Sequence, residues 1–255
     1  MTSPCLAIYH LYPEHLNLYG DRGNILALRQ RAQWHGINTR LIPVRPGYKV
    51  SFAACDLLFM GGGQDNEQKM VYRDFQSRRS ELLESIELGM AILAICGSYQ
   101  LLGRYYAAAD GEKIPGLELL DFYTEAGSRR MIGDIVTRCH IQGVRHTLVG
   151  FENHCGRTYL GSALRPLGTV VRGYGNNGQD RTEGVLYKNV IGTYLHGSLL
   201  PKNPRLTDWL LQKALHYRNI DFRLKQLDDT LEEQAHRFII KRCLSPLYHR
   251  RSSAM

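Results

Sequence analysis

Short apolar runs alternate with amphipathic stretches through the first hundred residues. Leu6-Ala7-Ile8-Tyr9 has the length and composition of a strand. Asn24 to His35 then carries apolar positions at Ile25, Leu28, Ala32 and the ring of Trp34, the spacing of a helix that ends near Gly36. Leu41-Ile42-Pro43-Val44 and Asp56-Leu57-Leu58-Phe59-Met60 predict two further strands, the second stopped by Gly61-Gly62-Gly63. A helical stretch runs through Ser80 to Leu88, and Met90 to Ile95 follows as an unbroken apolar run between Gly89 and Gly97. A strand apolar on both faces belongs in the middle of a sheet covered by helices. The order β-α-β-β-α-β-α predicts an α/β fold with a largely parallel sheet.

From Ile132 to Tyr194 the pattern changes to short alternating strands with hairpin signals, such as Gly184 to Tyr187, the turn Lys188-Asn189, and Val190 to Leu195. Asn203-Pro204 predicts an N-cap and first helical position for a helix through Tyr217. Residues 218–255 read as an extension. Leu224, Leu227, Leu231, Ala235 and Phe238 step by three and four, predicting a helix with one apolar seam, and 246–255 reads as a poorly ordered basic tail.

Composition narrows the class without changing the architecture. Over 255 residues, 44% hydrophobic and 22% charged, the chain is neither disordered nor repetitive. No apolar run is long enough for a membrane helix, and the first residues do not read as a signal peptide, so the expected location is the cytoplasm. The net charge of +8 is dispersed, with no basic stripe interleaved with aromatics, which argues against nucleic acid. The six cysteines contain no C-x-x-C. The cluster Cys139-His140, His146, His154-Cys155 fits no usual zinc spacing and is read as structural. No metal or cofactor is expected.

Three segments carry candidate chemistry. In Ala94-Ile95-Cys96-Gly97-Ser98-Tyr99-Gln100 a buried strand runs directly into a Cys, a Gly and a helical pattern, the layout of a nucleophile elbow. There the helix N-terminus favours thiolate, and the Gly97 N–H would face a developing oxyanion. The segment alone also fits a small buried Cys at a strand end. Gly61-Gly62-Gly63 permits close backbone approach to a ligand, or merely a tight turn, and lacks the order of a P-loop or a dinucleotide site. His196, in Gly192-Thr193-Tyr194-Leu195-His196-Gly197, stands at a strand end where it can reach a neighbouring loop. Taken together, Cys96 and His196 favour nucleophilic catalysis.

These residues resemble a known family. Cys96-Gly97-x-x-Gln100 after an apolar strand, the preceding Gly62-Gly63 and the downstream His196 are similar to the class I, triad-type glutamine amidotransferases. Asn17 to Asn24, Phe151-Glu152-Asn153-His154-x-Gly156-Arg157-Thr158 and Tyr194-Leu195-His196-Gly197 resemble the branch that includes cobyric acid synthase. The stand-alone chain and the motif order are most similar to the glutaminase subunits of lipid II isoglutaminyl synthases. The resemblance covers residues 5–217 and leaves 218–255 outside. It implies a flavodoxin-like, largely parallel sheet flanked by helices, with additional short antiparallel strands and a helical C-terminal extension. It implies hydrolysis of L-glutamine, with Cys96 as nucleophile, His196 as proton shuttle, and Gly62, Gly63 and Gly97 as oxyanion donors. Gln100 joins the substrate site, and Arg130 matches the arginine that holds the glutamine α-carboxylate.

The chain shows no ATP site of its own, so the resemblance implies a partner, a Mur-ligase-like synthetase (MurT), in a heterodimer that amidates D-glutamate of lipid II in peptidoglycan synthesis. His196-Gly197-Ser198 departs from the His-x-Glu of many relatives, so the carboxylate that orients the imidazole is expected from that partner, with Glu152 the first candidate if the acid lies within this chain instead. Two other readings stand beside this one: the glutaminase of another ammonia-dependent ligase, such as a corrinoid amidase-synthetase, and a non-catalytic α/β binding module.

Overall fold

The computed structural model describes residues 3–17, 21–63, 65–141 and 143–245, with the side chain of residue 65 left aside. It begins with β1 (Cys5–Leu11), α1 (Arg22–His35), β2 (Asn38–Val44) and β3 (Leu57–Met60). Next come α2 (Asp65–Phe75), α3 (Arg79–Glu87), β4 (Ala91–Ile95) and α4 (Gly97–Leu101). A β-rich stretch follows: β5 (Tyr105–Ala107), β6 (Lys113–Pro115), β7 (Phe122–Ile141), β8 (Val144–Leu160), β9 (Gly168–Arg172), β10 (Thr182–Glu183), β11 (Val185–Tyr187) and β12 (Val190–Thr193). The chain closes with α5 (Pro204–Tyr217) and α6 (Thr230–Leu244).

The main sheet has six strands in the order β11-β12-β4-β3-β1-β2. All its pairings are parallel except β11 with β12. Setting β11 aside, the parallel strands follow the doubly-wound order of flavodoxin-like sheets, with β12 as the last strand. Every residue of β3 and β4 is buried, as their unbroken apolar sequence requires. The helix predicted after β1 ends where expected. Gly36 takes φ +87° there, and its N–H closes on the Ala32 and Gln33 carbonyls. Ile25, Leu28 and Ala32 face the core, but the Trp34 ring is 48% exposed and does not join them.

Three expectations need correction. The region after Ile132 is not built only of short strands. β7 and β8 are 20 and 17 residues long and form a long antiparallel hairpin with a register shift between Ala126 and Met131. Its alternation is broken by Gly127, Gly133 and Gly150, which the sequence presents as strand ends. The hairpin belongs to a second sheet of order β10-β9-β7-β5-β6.

The extension differs as well. Its helix starts at Thr230, and of the predicted seam Leu224 packs on the main core ahead of the helix, whereas Leu231 is 77% and Phe238 64% exposed. The opposite face docks instead, with Cys243, Ile239 and Ile240 packing on Val136, Val149 and Val171. Arg31, itself buried, binds Asp208 and Asp229 at 2.6 Å each and ties α1 to α5 and to the start of α6. Residues 246–255 lie outside the described residues.

The Asn203 cap is also not a side-chain cap. Its amide bonds both the N–H and the carbonyl of Val149, at 3.0 and 2.8 Å, and so fastens the start of α5 to β8. Among the described residues no helix is long and apolar enough to cross a membrane.

Candidate active site

Because β12, β4, β3 and β1 are parallel neighbours, their C-terminal ends share one edge, where open α/β sheets bind ligands. Four segments meet there. Cys96 follows β4 with φ +50° and ψ −108°, a left-handed backbone costing a non-glycine residue roughly 1–3 kcal/mol. The Cys96 N–H still pairs with the Thr193 carbonyl of β12 at 2.8 Å, and its carbonyl already accepts the first α4 bond from Gln100. The thiol therefore stands at a strained strand-to-helix turn, 8% exposed. Gly97 must be small: a Cβ there would lie 2.4 Å from the Gly63 carbonyl oxygen.

His196 follows β12 and is fully buried. Its backbone is clipped to β8 by two bonds with Phe151, of 2.7 and 3.2 Å. Its Nδ1 lies 3.5 Å from Asp21 Oδ2, and both side chains are closed to solvent. Burial pushes the imidazole pKa down. Attraction to Cys96 and contact with Asp21 outweigh that and raise it to about 10, so His196 keeps its proton at neutral pH.

Asp21 is the residue that sequence reasoning missed. It stands at the start of α1 but makes no side-chain cap. Its Oδ2 accepts the Gly62 N–H at 2.7 Å and faces His196, while Asn17 accepts the Arg22 N–H at 2.8 Å. A carboxylate of this chain thus faces His196, where one from a partner was expected. The same bond corrects a second expectation, because the Gly62 N–H is committed to Asp21 and is not aimed at an oxyanion. Asp21 lies inside the Asn17–Asn24 motif, and the rest of that motif supports the same loop. Gly23 packs on Ser198, and Asn24 accepts the Leu200 N–H at 2.9 Å.

A cleft of about 610 Å³ opens onto Cys96 and Gly63, lined further by Gln68, Gln100, Arg130, Asn153 and His154. Gln100 sits in its wall, accepting from Gln68 at 2.9 Å and donating to the Tyr194 hydroxyl at 3.0 Å. Arg130 is exposed and donates through Nη1 to Asn153 Oδ1 at 2.7 Å. Arg129 is not part of the lining. A guanidinium held at the mouth and a thiol at the base suit a small amino acid that carries a carboxylate at one end.

The CobB/CobQ-like glutamine amidotransferase domain matches residues 7–204. The chain belongs to that family. A further relative, the GatD subunit of lipid II isoglutaminyl synthase (glutamine-hydrolyzing) from Staphylococcus aureus, is 46% identical over 93% of this chain and 96% of its own length. The Streptococcus pneumoniae subunit of the same name is 40% identical over 90% and 88%. A cobyric acid synthase from Rhodobacter capsulatus is 31% identical over 62% of this chain, but only 32% of the synthase is covered. A solved glutamine amidotransferase aligns at TM-score 0.53 and 16% identity over 81% of this chain and 98% of its own, a likeness of fold.

In this CobB/CobQ-like amidotransferase the Phe151–Thr158 motif acts as scaffold for the cleft. Asn153 holds Arg130. The His154 ring stacks on Tyr194 at 3.6 Å and gives its Nδ1–H to the Gly156 carbonyl at 2.9 Å. Burial pushes His154 down to about 3, so it stays neutral. A Cβ on Gly156 would lie 2.3 Å from Gln100 Nε2, and Thr158 Oγ1 meets the Tyr194 hydroxyl at 2.7 Å. Glu152 does not orient His196. It accepts the N–H groups of Tyr174 and Gly175 at 2.7 and 2.9 Å.

Removal of the Arg130 side chain is expected to raise KM for glutamine and lower kcat/KM by about ten- to a hundredfold, the worth of one charge-assisted bond. Asn153→Ala should follow it more weakly, and Arg129→Ala least. Steady-state kinetics check the ranking, and an Arg129 effect larger than the Arg130 effect would move the role.

Glu183 is a third buried carboxyl near the site, after Asp21 and Glu152. Its Oε1 accepts both the Thr193 hydroxyl at 2.5 Å and the Tyr194 N–H at 2.9 Å, while Oε2 has no partner among the described residues. Burial pushes its pKa up to about 7, and Glu152 adds to the rise. A carboxyl raised in the folded state favours folding below its unfolded pKa, and that contribution is lost as pH climbs through about 7. Glu183→Gln keeps both accepted bonds and removes the charge. Its stability relative to the parent is expected to grow between pH 5 and pH 8, to roughly 1–3 kcal/mol. Denaturant melts at a series of pH values read this directly, and a pH-independent difference would show Glu183 to be ionised throughout.

Proposed function

We propose that the chain is the glutaminase subunit of a lipid II isoglutaminyl synthase, working in the cytoplasm. The observation that carries the reading is Cys96 on its strained turn, with the buried His196 and Asp21 behind it, at the base of a cleft with a guanidinium at its mouth. Arg130 holds the α-carboxylate of L-glutamine. The Cys96 sulfur attacks the side-chain amide carbon, and the N–H groups of Gly63 and Gly97 receive the oxyanion. His196 gives its proton to the departing nitrogen, the C–N bond breaks and ammonia leaves a thioester. A water then attacks that thioester, His196 takes its proton, and glutamate and the free thiol are restored. Gln100 positions the cleft wall through Gln68 and Tyr194.

The ammonia passes to a Mur-ligase-like synthetase subunit, MurT, which amidates D-glutamate of the lipid II stem peptide. The support is the length over which the two GatD relatives align, nearly end to end, whereas the cobyric acid synthase extends far beyond the matched region. The test is ammonia release from L-glutamine by the chain alone and with purified synthetase, together with amidation of lipid II. Release coupled to amidated lipid II is the expected result. Release without lipid II amidation, but with amidation of a corrinoid acid by another synthetase, would assign the ammonia to a different ligase.

A further inference from the structure

α6, the start of α5 and the end of the β7–β8 hairpin enclose a second cavity of about 340 Å³ that shares no lining residue with the cleft. Its floor is apolar, with Ile141, Leu148 and Leu206 each at most 5% exposed. Its walls are cationic. Arg138 and Arg145 come from the hairpin, Arg205 from α5 and Arg237 from α6, against a single carboxylate, Glu233. Glu233 lies 3.5 Å from Arg205 and 3.9 Å from Arg237. Arg138 and Arg145 have no ion pair among the described residues. His146 and His236 complete the lining, and burial, with Arg205 adding to it, pushes both imidazoles down. The cavity therefore holds four positive charges and one negative at neutral pH.

We propose that this cavity binds a phosphate-bearing organic ligand. A carboxylate offers two oxygens and is satisfied by one guanidinium. Four arginines lining one cavity from three elements suit a group with three or more anionic or accepting oxygens. The volume falls within the range of small-molecule pockets, and the apolar floor accommodates an organic body that inorganic phosphate lacks. The phosphate can be carried by a soluble metabolite or by a lipid headgroup, and the same arginines would read it in either. The inference stands on residues outside the glutaminase site and does not depend on the proposed reaction.

The experiment has a soluble arm and a lipid arm, each run on the full chain and on an Arg138→Gln/Arg145→Gln double variant. In the first, phenyl phosphate is titrated calorimetrically with benzoate as control at equal ionic strength. In the second, flotation is measured with phosphatidylcholine vesicles with and without phosphatidylglycerol. Expected are saturable binding of phenyl phosphate over benzoate, or flotation dependent on phosphatidylglycerol, weakened about tenfold or more in the double variant. The arm that responds identifies the source. Glutaminase activity of the double variant should be unchanged, which verifies its fold. Binding in neither arm, binding that survives the double substitution, or benzoate binding as tightly as phenyl phosphate would overturn the proposal. So would loss of synthetase association in the double variant without phosphate binding, which would place a protein carboxylate against these arginines.

Discussion

Cys96→Ala is expected to bring glutamine hydrolysis to background, a loss of at least ~10⁴-fold and, by the behaviour of nucleophiles in other triads, up to ~10⁶-fold in kcat. The reason is chemical rather than structural. The Cys96 sulfur is the thiol that the strand-to-helix turn presents to the cleft, whereas Cys155 lines it from within β8, and that turn is set by backbone bonds to Thr193 and Gln100 that alanine retains. The variant should therefore melt near the parent temperature. A glutamine-analogue electrophile should label Cys96 alone: Cys55, Cys139 and Cys243 are buried and burial raises their thiol pKa values, Cys5 lies outside the cleft, and Cys155 lines the cleft from within β8 without the helix N-terminus that stands behind Cys96. Activity surviving in Cys96→Ala, or covalent label on another cysteine, would remove Cys96 from the reaction.

Asp21→Asn carries the second large effect. Asparagine still offers an oxygen to the Gly62 N–H but no longer balances the charge of the imidazolium. Loss of a tightly bonded triad aspartate can cost ~10⁴ in kcat. The 3.5 Å separation here is an ion-pair contact rather than a short hydrogen bond, so the expected loss is about ten- to a hundredfold, with KM little changed. The alkaline limb of the pH profile should also move to lower pH, because removing Asp21 removes part of what raises His196. Rates of the chain alone and in complex with the synthetase decide between two sources of the acid. If Asp21→Asn leaves both unchanged, the orienting carboxylate comes from the partner after all.

Neither the position of Asp21 nor the loss of Gly62 as an oxyanion donor was legible in the chain. Asp21 has the ordinary sequence signature of a helix start, and only the packing of β3 beside β1 brings the Gly62 N–H to within 2.7 Å of it. A triad is recognised by geometry, and sequence searches for its acid near the histidine. Here the acid precedes the histidine by 175 residues and is joined to it through neighbouring strand ends. The long β7–β8 hairpin escaped for a different reason, because its internal glycines look like punctuation. In the folded chain the Gly150 Cα packs against the Leu195 side chain, just before His196.

What the sequence determined by itself is the order and kind of the elements around the main sheet. Burial of β3 and β4 on both faces demands unbroken apolar runs, and a helix stop demands a residue tolerant of positive φ; both are local requirements written in local residues. Cys96, Gly97 and His196 were legible for the same reason, since each sits at an abrupt change from strand pattern to glycine. Tertiary structure decided what depends on residues distant in sequence: which carboxylate faces His196, which glycine N–H remains for an oxyanion, which face of α6 docks, and that Asn153 steadies Arg130. In α6 the stepped Leu231 and Phe238 and the docked Ile239 and Cys243 are equally periodic. Only the β7–β8 surface already in place selected the second set, because burial is conferred by the partner surface and not by the period.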